Sequence, residues 1–207
     1  MKFPIKKYYN FKSFKEDYYK ELKISFEYIN FDNLIKIINI LELAYKNKNK
    51  KIMVCGNGGS AALANHFACD HQKILNEVKP LKPFVLSLAS NSPLMTAISN
   101  DNKYENIFCD QLKQIGKKSD ILITISSSGD SENIIKAIKV AKAMSIKTIS
   151  FTGFNGGRSK NLADHNIHVK SQNYGIIESL HHTIMNLISQ YLKNTYLSEK
   201  KIKNLKF

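Results

Sequence analysis

The fold class of this chain is decided by the stretch ILITISSSGDS at residues 121–131, in which a nearly continuous apolar run ends in small polar residues. An apolar run of this length, stopped by serines and a glycine, predicts a strand that is buried on both faces. In the residues that follow, 132–144, isoleucines and alanines recur at helical spacing. A buried strand that leads directly into an amphipathic helix is the beginning of a βαβ unit, which builds a parallel sheet.

The same alternation of apolar runs and amphipathic stretches continues along the chain. The runs predicted as strands are 51–55, 84–88, 121–125, 147–151 and 167–169. The stretches predicted as helices are two within 10–47, then 60–72, 95–99, 104–115, 132–144 and 176–192. This order predicts an α/β fold whose parallel sheet carries helices on both faces. We expect a helical segment at 1–47 that packs in an oligomer, one domain at 48–194 and a basic tail at 195–207.

Composition excludes several classes of protein. Of the 207 residues 43% are hydrophobic, which is enough for a buried core and excludes a disordered chain. No apolar run reaches the ~18 residues of a membrane span, and residues 1–20 contain no secretory signal, so we expect no membrane partner. The three cysteines, Cys55, Cys69 and Cys109, cannot all pair, so we expect reduced thiols and a cytoplasmic location.

The charge of the chain is strongly positive, at +14 from 31 Lys and Arg against 17 Asp and Glu. Almost all of the positive residues are lysines, and Arg158 is the only arginine. Recognition of base edges favours bidentate arginine, so this composition argues against a nucleic-acid partner. We interpret most of the excess lysine as solvated surface.

Two loops follow predicted strands and lead into predicted helices, which is where an open parallel sheet binds ligands. The first is the glycine loop, GNGGS at residues 56–60, whose glycines let backbone N–H groups approach an anion at a helix N-terminus. The second is the serine loop, SSSGDS at residues 126–131, whose four hydroxyls can donate to phosphate oxygens. Neither loop has the glycine spacing of a nucleotide-binding motif, so a sugar phosphate is the favoured ligand.

The motifs GNGGSAA (56–62), HFA (66–68), SND (99–101) and ISSSGDS (125–131) together resemble the sugar isomerase (SIS) domain family, in its phosphoheptose isomerase branch. The resemblance extends from about residue 30 to residue 194. It implies a three-layer, flavodoxin-like fold with a five-stranded parallel sheet, assembled as a homotetramer. It also implies an enzyme that converts sedoheptulose 7-phosphate to D-glycero-D-manno-heptose 7-phosphate, the first step toward heptose in lipopolysaccharide or capsule, with zinc in the active site.

The resemblance also implies which residues bind the substrate. The glycine loop and an Asn-Asp pair are expected to contact the sugar, and the serine loop is expected to bind its phosphate. The residues concerned are Asn57, Gly58, Gly59, Ser60, Asn100, Asp101, Ser126, Ser127, Ser128 and Ser131.

The catalytic positions depart from the family pattern, which has a His and, four residues later, an acidic residue, usually Glu, that acts as base and metal ligand. Here these positions hold His66 and Asp70. On the C-terminal helix the family's Gln and, eight residues on, His become Glu178 and Asn186, and an amide cannot shuttle protons. His182, four residues after Glu178, is the candidate to supply the missing imidazole. The predicted catalytic residues are Asp70, Glu178 and His182, and the predicted zinc ligands are His66, Asp70, Glu178 and His182.

Two other interpretations stay open at the level of sequence. In the first, the chain is an isomerase of another sugar phosphate in surface-polysaccharide synthesis. In the second, it is a non-catalytic SIS protein that binds a sugar phosphate or a partner protein. The altered catalytic positions fit a changed substrate as well as a lost reaction. For His181 and His182 the alternative to catalysis is a polar helix face at a subunit contact, and His71, His165 and His168 are predicted to be exposed to solvent.

Overall fold

The structure is a computed structural model that describes residues 2–205. Five strands form its centre: β1 Ile52–Gly56, β2 Val85–Ser87, β3 Ile121–Ser126, β4 Lys147–Thr152 and β5 His165–His168. They make one sheet in the order β2-β1-β3-β4-β5, and every neighbouring pair is parallel. The predicted α/β class and the five-stranded parallel sheet are therefore confirmed.

Helices precede, connect and follow these strands. Two of them, α1 Phe11–Glu27 and α2 Phe31–Tyr45, come before the sheet. The others are α3 Gly59–Asn76, α4 Ser92–Asp101, α5 Cys109–Ile115, α6 Glu132–Ala143, α7 Gly157–Leu162, α8 Tyr174–Tyr196 and α9 Glu199–Ile202. The sequence pattern did not predict α7 and α9, because helices of one or two turns are too short to show a period.

The single helix predicted over 104–115 is wrong. A 3₁₀ turn covers Tyr104–Asn106, and α5 begins only at Cys109. Apolar residues keep their helical spacing across the break, so periodicity alone could not reveal it. The Gln111 side chain donates from Nε2 to the Ile107 carbonyl at 2.7 Å and so satisfies a backbone acceptor at the break.

The sheet is covered on both faces, so alternate residues of a strand enter different cores. Along β1, Ile52 and Val54 pack with residues of α2, α3 and α8, whereas Met53 and Cys55 pack with residues of α5 and α6. All four side chains are fully buried. This three-layer arrangement explains why the strands are continuously apolar rather than alternating.

The N-terminal helices contribute to one of these cores. Ile37 and Leu41 of α2 are fully buried against the sheet, and Phe14 of α1 packs on the same cluster. Two aromatic residues of α1, Phe11 at its first position and Tyr19, are exposed. The predicted division at 1–47, 48–194 and 195–207, and the oligomer packing of the first segment, stay predictions.

The sheet places the glycine loop and the serine loop side by side. Strands β1 and β3 are neighbours, with Gly56 opposite Ile125 in the register. Because parallel strands end at the same edge, the loops that follow them form one surface there. Between residues 2 and 205, none of the helices combines the length and the apolar character needed to cross a membrane.

Candidate active site

The glycine loop turns the chain from β1 into α3. Gly58 has φ 54° and ψ −124°, a conformation that residues with a Cβ rarely adopt. The Asn57 carbonyl closes the turn by accepting hydrogen bonds from the N–H groups of Ser60 and Ala61. The positive end of an 18-residue helix is therefore presented to the edge of the sheet, where it favours an anion.

The side chain of Asn57 connects this loop to two neighbours. Asn57 and Asn133 exchange two hydrogen bonds, of 2.9 Å from Asn57 Nδ2 and 2.8 Å from Asn133 Nδ2. The Tyr104 hydroxyl donates to Asn57 Oδ1 at 3.0 Å. Asn57 Oδ1 therefore accepts from two donors of its own chain, and any side-chain contact to substrate falls to Nδ2.

The hydroxyls of the serine loop differ in what they bind. Ser126 Oγ accepts from the Gly129 N–H at 3.1 Å, and Ser128 Oγ accepts from the Asp130 N–H at 3.3 Å. Ser127 Oγ is buried and has no hydrogen-bond partner within the described part of the chain. A buried polar group without a partner costs about 1–3 kcal/mol, so this hydroxyl is available to a ligand.

The first turn of α7 holds the serine loop in place. The Gly129 carbonyl accepts from Ser159 N at 2.9 Å and from Ser159 Oγ at 2.8 Å. Arg158 donates from Nε to Asp130 Oδ1 at 2.9 Å and from Nη2 to Glu132 Oε1 at 2.6 Å. Hydrogen bonds from the Arg158 backbone and guanidinium lower the pKa of Asp130, and the guanidinium lowers the pKa of Glu132. Arg158, the only arginine of the chain, therefore stabilises the conformation of the serine loop.

A cavity of about 160 Å³ opens between the two loops and α8. It brings most of the predicted substrate-binding side chains together with Glu178 and with Tyr174, which the sequence analysis did not single out. The lining residues are Asn57, Ser60, Ile125, Ser126, Ser127, Ser128, Ser131, Tyr174 and Glu178. Ser131 precedes α6 without making a side-chain capping bond, so its hydroxyl can also serve a ligand.

Asn100 and Asp101 lie outside this cavity. Both are exposed at the end of α4, where Asn100 Nδ2 donates to Asp101 Oδ1 at 3.0 Å. Asp101 lines a separate surface depression together with residues of α5. Within one chain, the structure does not bring this pair together with the other predicted substrate-binding residues.

Glu178 connects the cavity to a cluster of ionisable side chains between α3 and α8. Its carboxylate lies over Gly59, where an added Cβ would come within 2.9 Å of Glu178 Oε1. One turn further along α8, the ring of His182 packs on that of His66, with centroids 4.4 Å apart. His66 Nε2 is 2.9 Å from Asp70 Oδ2. The predicted catalytic residues Asp70 and His182 therefore meet across His66, and Glu178 lies one turn away.

The surroundings of His182 favour a neutral imidazole. Desolvation lowers its pKa, the neighbouring His66 adds to the decrease, and Asp70 opposes it. Its Nε2 is buried and has no hydrogen-bond partner among residues 2–205. A neutral imidazole with an unpartnered nitrogen is suited to proton transfer.

The predicted zinc ligands do not fit a metal ion in this arrangement. Across residues 2–205, no three His, Cys, Asp or Glu side chains are placed to hold one ion together. His66 and Asp70 are hydrogen bonded to each other, and the Glu178 carboxylate is at the start of α3. Imidazole and carboxylate groups suit zinc chemically, but a shared ion requires these side chains to rearrange.

The prediction that His71 is exposed to solvent is wrong. His71 is 1% exposed, with Nδ1 2.5 Å from the Tyr45 hydroxyl and Nε2 3.1 Å from the Met185 carbonyl. Desolvation lowers its pKa to about 3. His71 follows Phe67 by four residues, so both face α8, a tertiary contact that local polarity does not reveal.

The remaining histidines are also more enclosed than predicted. His181 is fully buried, with Nε2 3.2 Å from the Thr152 carbonyl, so it does not form a polar subunit face. His165 and His168 are half-buried at the edge of the sheet. Desolvation lowers the pKa of His168 to about 4. Helix α2 packs on β5 and His168 Nδ1 lies 3.1 Å from Thr152 Oγ1 of β4, so both are less exposed than a polar edge strand suggests.

Comparison with known proteins agrees with this geometry. The pattern of the SIS domain family matches residues 17–153. A probable phosphoheptose isomerase of Thermoplasma acidophilum is 38% identical over 161 residues, which is 77% of this chain and 87% of the relative. A phosphoheptose isomerase of Clostridium acetobutylicum is 37% identical over 169 residues, 82% of this chain and 85% of that relative. The chain belongs to the SIS-domain family, in its phosphoheptose isomerase branch.

A solved structure of this SIS branch has the same fold. The phosphoheptose isomerase of Neisseria gonorrhoeae matches with a TM-score of 0.79 at 26% identity, covering 88% of this chain and 98% of that chain. This similarity confirms the SIS-type, flavodoxin-like fold that the sequence motifs implied.

Three residues of this SIS site were missed by the sequence analysis: Tyr104, Asn133 and Tyr174. Asn133 had a detectable signal, because it is an amide directly before Ile134 and Ile135 on the apolar side of a predicted helix. A polar residue among buried apolar ones is the informative exception in a sequence. The two tyrosines are more than half exposed, and no periodicity distinguishes them from surface residues.

Proposed function

We propose that this SIS-domain protein is a sugar-phosphate aldose–ketose isomerase that converts sedoheptulose 7-phosphate to D-glycero-D-manno-heptose 7-phosphate. One observation carries the proposal: a cavity that contains the Ser127 hydroxyl, which has no partner among residues 2–205, is also lined by Glu178, one helical turn from the His66–Asp70–His182 cluster. The relatives described above support the choice of substrate, because they carry the name phosphoheptose isomerase.

Substrate binding uses the phosphate as the anchor. The hydroxyls of Ser127, Ser128 and Ser131 donate to its oxygens, together with backbone N–H groups at the start of α6. The N–H groups of the glycine loop, at the start of α3, donate to oxygens of the sugar. Glu178 shares the cavity, and two negative charges repel each other, so the phosphate lies on the serine side with the sugar oxygens toward Glu178.

The reaction is a transfer of one proton between two carbons, with Asp70 as base. The Asp70 carboxylate takes a proton from carbon 1 of the ketose, and the electron pair of that bond forms the double bond of a cis-enediol as the ketone oxygen gains a proton. Asp70 then returns a proton to carbon 2 while the hydroxyl on carbon 1 loses its proton and becomes the aldehyde. Glu178 and His182 move the protons at the two oxygens, and His66 orients Asp70 through their hydrogen bond.

Zinc, which the family resemblance implies, stays a prediction. None of the steps above passes through a metal, because the side chains as arranged do not fit one ion together. Metal analysis of the purified protein, with activity measured after chelation and after zinc is added back, tests the prediction. Activity that falls on chelation and returns with zinc would support it, and activity that neither treatment changes would contradict it.

We further propose that the enzyme works as a homotetramer in the cytoplasm and feeds heptose synthesis for lipopolysaccharide or capsule. Helix α1 leaves the aromatic side chains of Phe11 and Tyr19 exposed, and such side chains suit a subunit contact. Asn100 and Asp101 are exposed, which leaves them available to the cavity of a neighbouring subunit. The cysteines are free thiols, as expected in a reducing compartment.

The proposal is tested by phosphorus and proton NMR of the purified, metal-analysed protein incubated with sedoheptulose 7-phosphate. We expect the signals of an aldoheptose 7-phosphate to appear. Binding of the substrate without turnover, with or without added zinc, would contradict the isomerase and favour a non-catalytic SIS protein. Turnover of a different ketose phosphate, with sedoheptulose 7-phosphate unchanged, would contradict the substrate and retain the reaction type.

A further inference from the structure

We propose that Asn133 and Tyr104 are positioning residues, which hold Asn57 and with it the glycine loop in a fixed place beside the serine loop. The inference rests on the proposed function, because it assigns both residues to the sugar-phosphate site. Neither residue lines the cavity, so each acts through Asn57 rather than on the substrate.

Asn133 is an amide in an apolar environment. It is the second residue of α6 and 2% exposed, directly before the buried Ile134 and Ile135. Its Oδ1 accepts from Asn57 Nδ2 and from the Ile134 N–H at 2.9 Å, and its Nδ2 donates to Asn57 Oδ1. An apolar side chain would fill this place without desolvating an amide, so the amide is explained by its pairing with Asn57.

The paired amides join the two loops directly. Asn57 is in the glycine loop after β1, and Asn133 comes two residues after Ser131, the last residue of the serine loop. Two hydrogen bonds in opposite directions fix both the separation and the orientation of the Asn57 amide. A shift of either loop breaks them, so the N–H groups of one loop and the hydroxyls of the other keep a fixed spacing around the substrate.

Tyr104 completes the arrangement from the outside. Its ring is exposed, yet its hydroxyl donates to Asn57 Oδ1 at 3.0 Å. The 3₁₀ turn that carries it is held on α6, because Lys136 Nζ lies 3.1 Å from Glu105 Oε2 and 3.2 Å from Asn106 Oδ1. Both acceptor positions of Asn57 Oδ1 are then filled, which leaves Asn57 Nδ2 as the group that can face a substrate oxygen.

The test uses Tyr104→Phe and Asn133→Ala, each alone and each combined with Asn57→Ala. The matched control is Tyr191→Phe, because Tyr191 is 55% exposed like Tyr104, and its hydroxyl makes no hydrogen bond within residues 2–205. We expect each single variant to raise KM for sedoheptulose 7-phosphate about tenfold, because it loses one or two hydrogen bonds that hold Asn57. The value of kcat should change less than about threefold. When Asn57 is already alanine, either second substitution should raise KM by less than about twofold, since both residues act through Asn57.

A second measurement separates this inference from the proposed function. In the ligand-free protein, amide hydrogen exchange over residues 56–60 should be faster in Tyr104→Phe and Asn133→Ala and unchanged in Tyr191→Phe. Faster exchange in a protein that neither binds nor converts the substrate would uphold the positioning role and contradict the proposed function. Tyr104→Phe tests the inference even where Asn133→Ala does not fold, because Tyr104 is on the surface. The positioning role would be overturned if Tyr104→Phe changed neither the exchange nor KM. It would also be overturned if the increases in KM of the single variants multiplied fully with that of Asn57→Ala.

Discussion

At the scale of single residues, the site depends on short polar side chains whose neighbours decide what they can do. The Asp70 carboxylate is one methylene shorter than the Glu of the family pattern, and His66 holds it at 2.9 Å. The Ser127 hydroxyl is buried among residues 2–205 with nothing to bind. Two predictions follow from these two residues.

Asp70→Asn should lower kcat for sedoheptulose 7-phosphate at least about 10²-fold, because an amide cannot take the proton from carbon 1. The substrate should still bind, since the phosphate contacts are untouched. Steady-state kinetics and isothermal titration calorimetry measure the two quantities. Asp32→Asn is the matched control, because Asp32 is exposed in the first turn of α2. Activity of Asp70→Asn within a few-fold of the unmodified protein would assign the base elsewhere.

Ser127→Ala should weaken substrate binding about tenfold and leave the free energy of unfolding unchanged or slightly higher, because it removes a hydroxyl that has no partner within residues 2–205. Ser126→Ala is the matched comparison. It removes the acceptor of the Gly129 N–H and should lower the free energy of unfolding by about 1 kcal/mol. Urea unfolding and titration with sedoheptulose 7-phosphate measure both effects. Normal affinity in Ser127→Ala would show that the phosphate does not use this hydroxyl.

At the scale of elements, the site depends on the close approach of α3 and α8. Gly59 permits it, because an added Cβ would lie 2.9 Å from Glu178 Oε1. We predict that Gly59→Ala displaces the Glu178 carboxylate and lowers kcat about tenfold or more, the scale of a mispositioned catalytic group. Folding stability should change by less than about 1 kcal/mol, because Gly59 is the first residue of α3 and its φ is not positive. Kinetics and thermal unfolding test this.

The comparison for this prediction is Gly58→Ala. Gly58 has φ +54°, and no atom of residues 2–205 lies within 4 Å of an added Cβ, so strain in the backbone is the main consequence of the change. That variant should lose about 1–2 kcal/mol of stability, which Gly59→Ala should not. If Gly59→Ala kept full activity, Glu178 would have no part in the reaction.

The helices, strands and loops also show how much of the structure the sequence could predict. Strands such as Ile121–Ser126 were found within a residue or two, because a strand buried on both faces is apolar throughout. The two loops were found because glycines and serines directly after such strands are typical of turns that bind a ligand. The burial of His71 and His181 was not predictable, since it comes from the packing of α3 and α8 on each other and on the sheet. The break between Tyr104 and Cys109 was hidden by apolar spacing that continues through it.

At the scale of the whole molecule, buried histidines make stability depend on pH. Desolvation lowers the pKa of His71 to about 3 in the folded protein, whereas the ordinary value of 6.5 applies to the unfolded chain. Between these values the unfolded state binds the additional proton. The contribution of His71 to the free energy of unfolding is therefore fully present above about pH 6.5. It falls as the pH decreases, by up to about 1.4 kcal/mol per pH unit.

We predict that His71→Gln, which retains a donor for the Met185 carbonyl and an acceptor for the Tyr45 hydroxyl, reduces this dependence on pH. Urea unfolding of both proteins between about pH 7 and pH 5 measures the two slopes, and the variant should have the shallower one. Equal slopes would show that His71 is protonated in the folded state as readily as in the unfolded state.

As an isomerase, the whole molecule has to move a proton between carbon 1 and carbon 2 of its substrate, and we propose that Asp70 does so. The most direct test is conversion of sedoheptulose 7-phosphate in deuterated water, followed by proton NMR of the aldoheptose 7-phosphate. The Asp70 side chain is 24% exposed, so the proton it carries exchanges with solvent, and we predict deuterium at carbon 2 of the product. A full proton signal at carbon 2 after the reaction has reached equilibrium over many turnovers would indicate a hydride shift and contradict proton transfer at Asp70, and no product at all would contradict the isomerase itself.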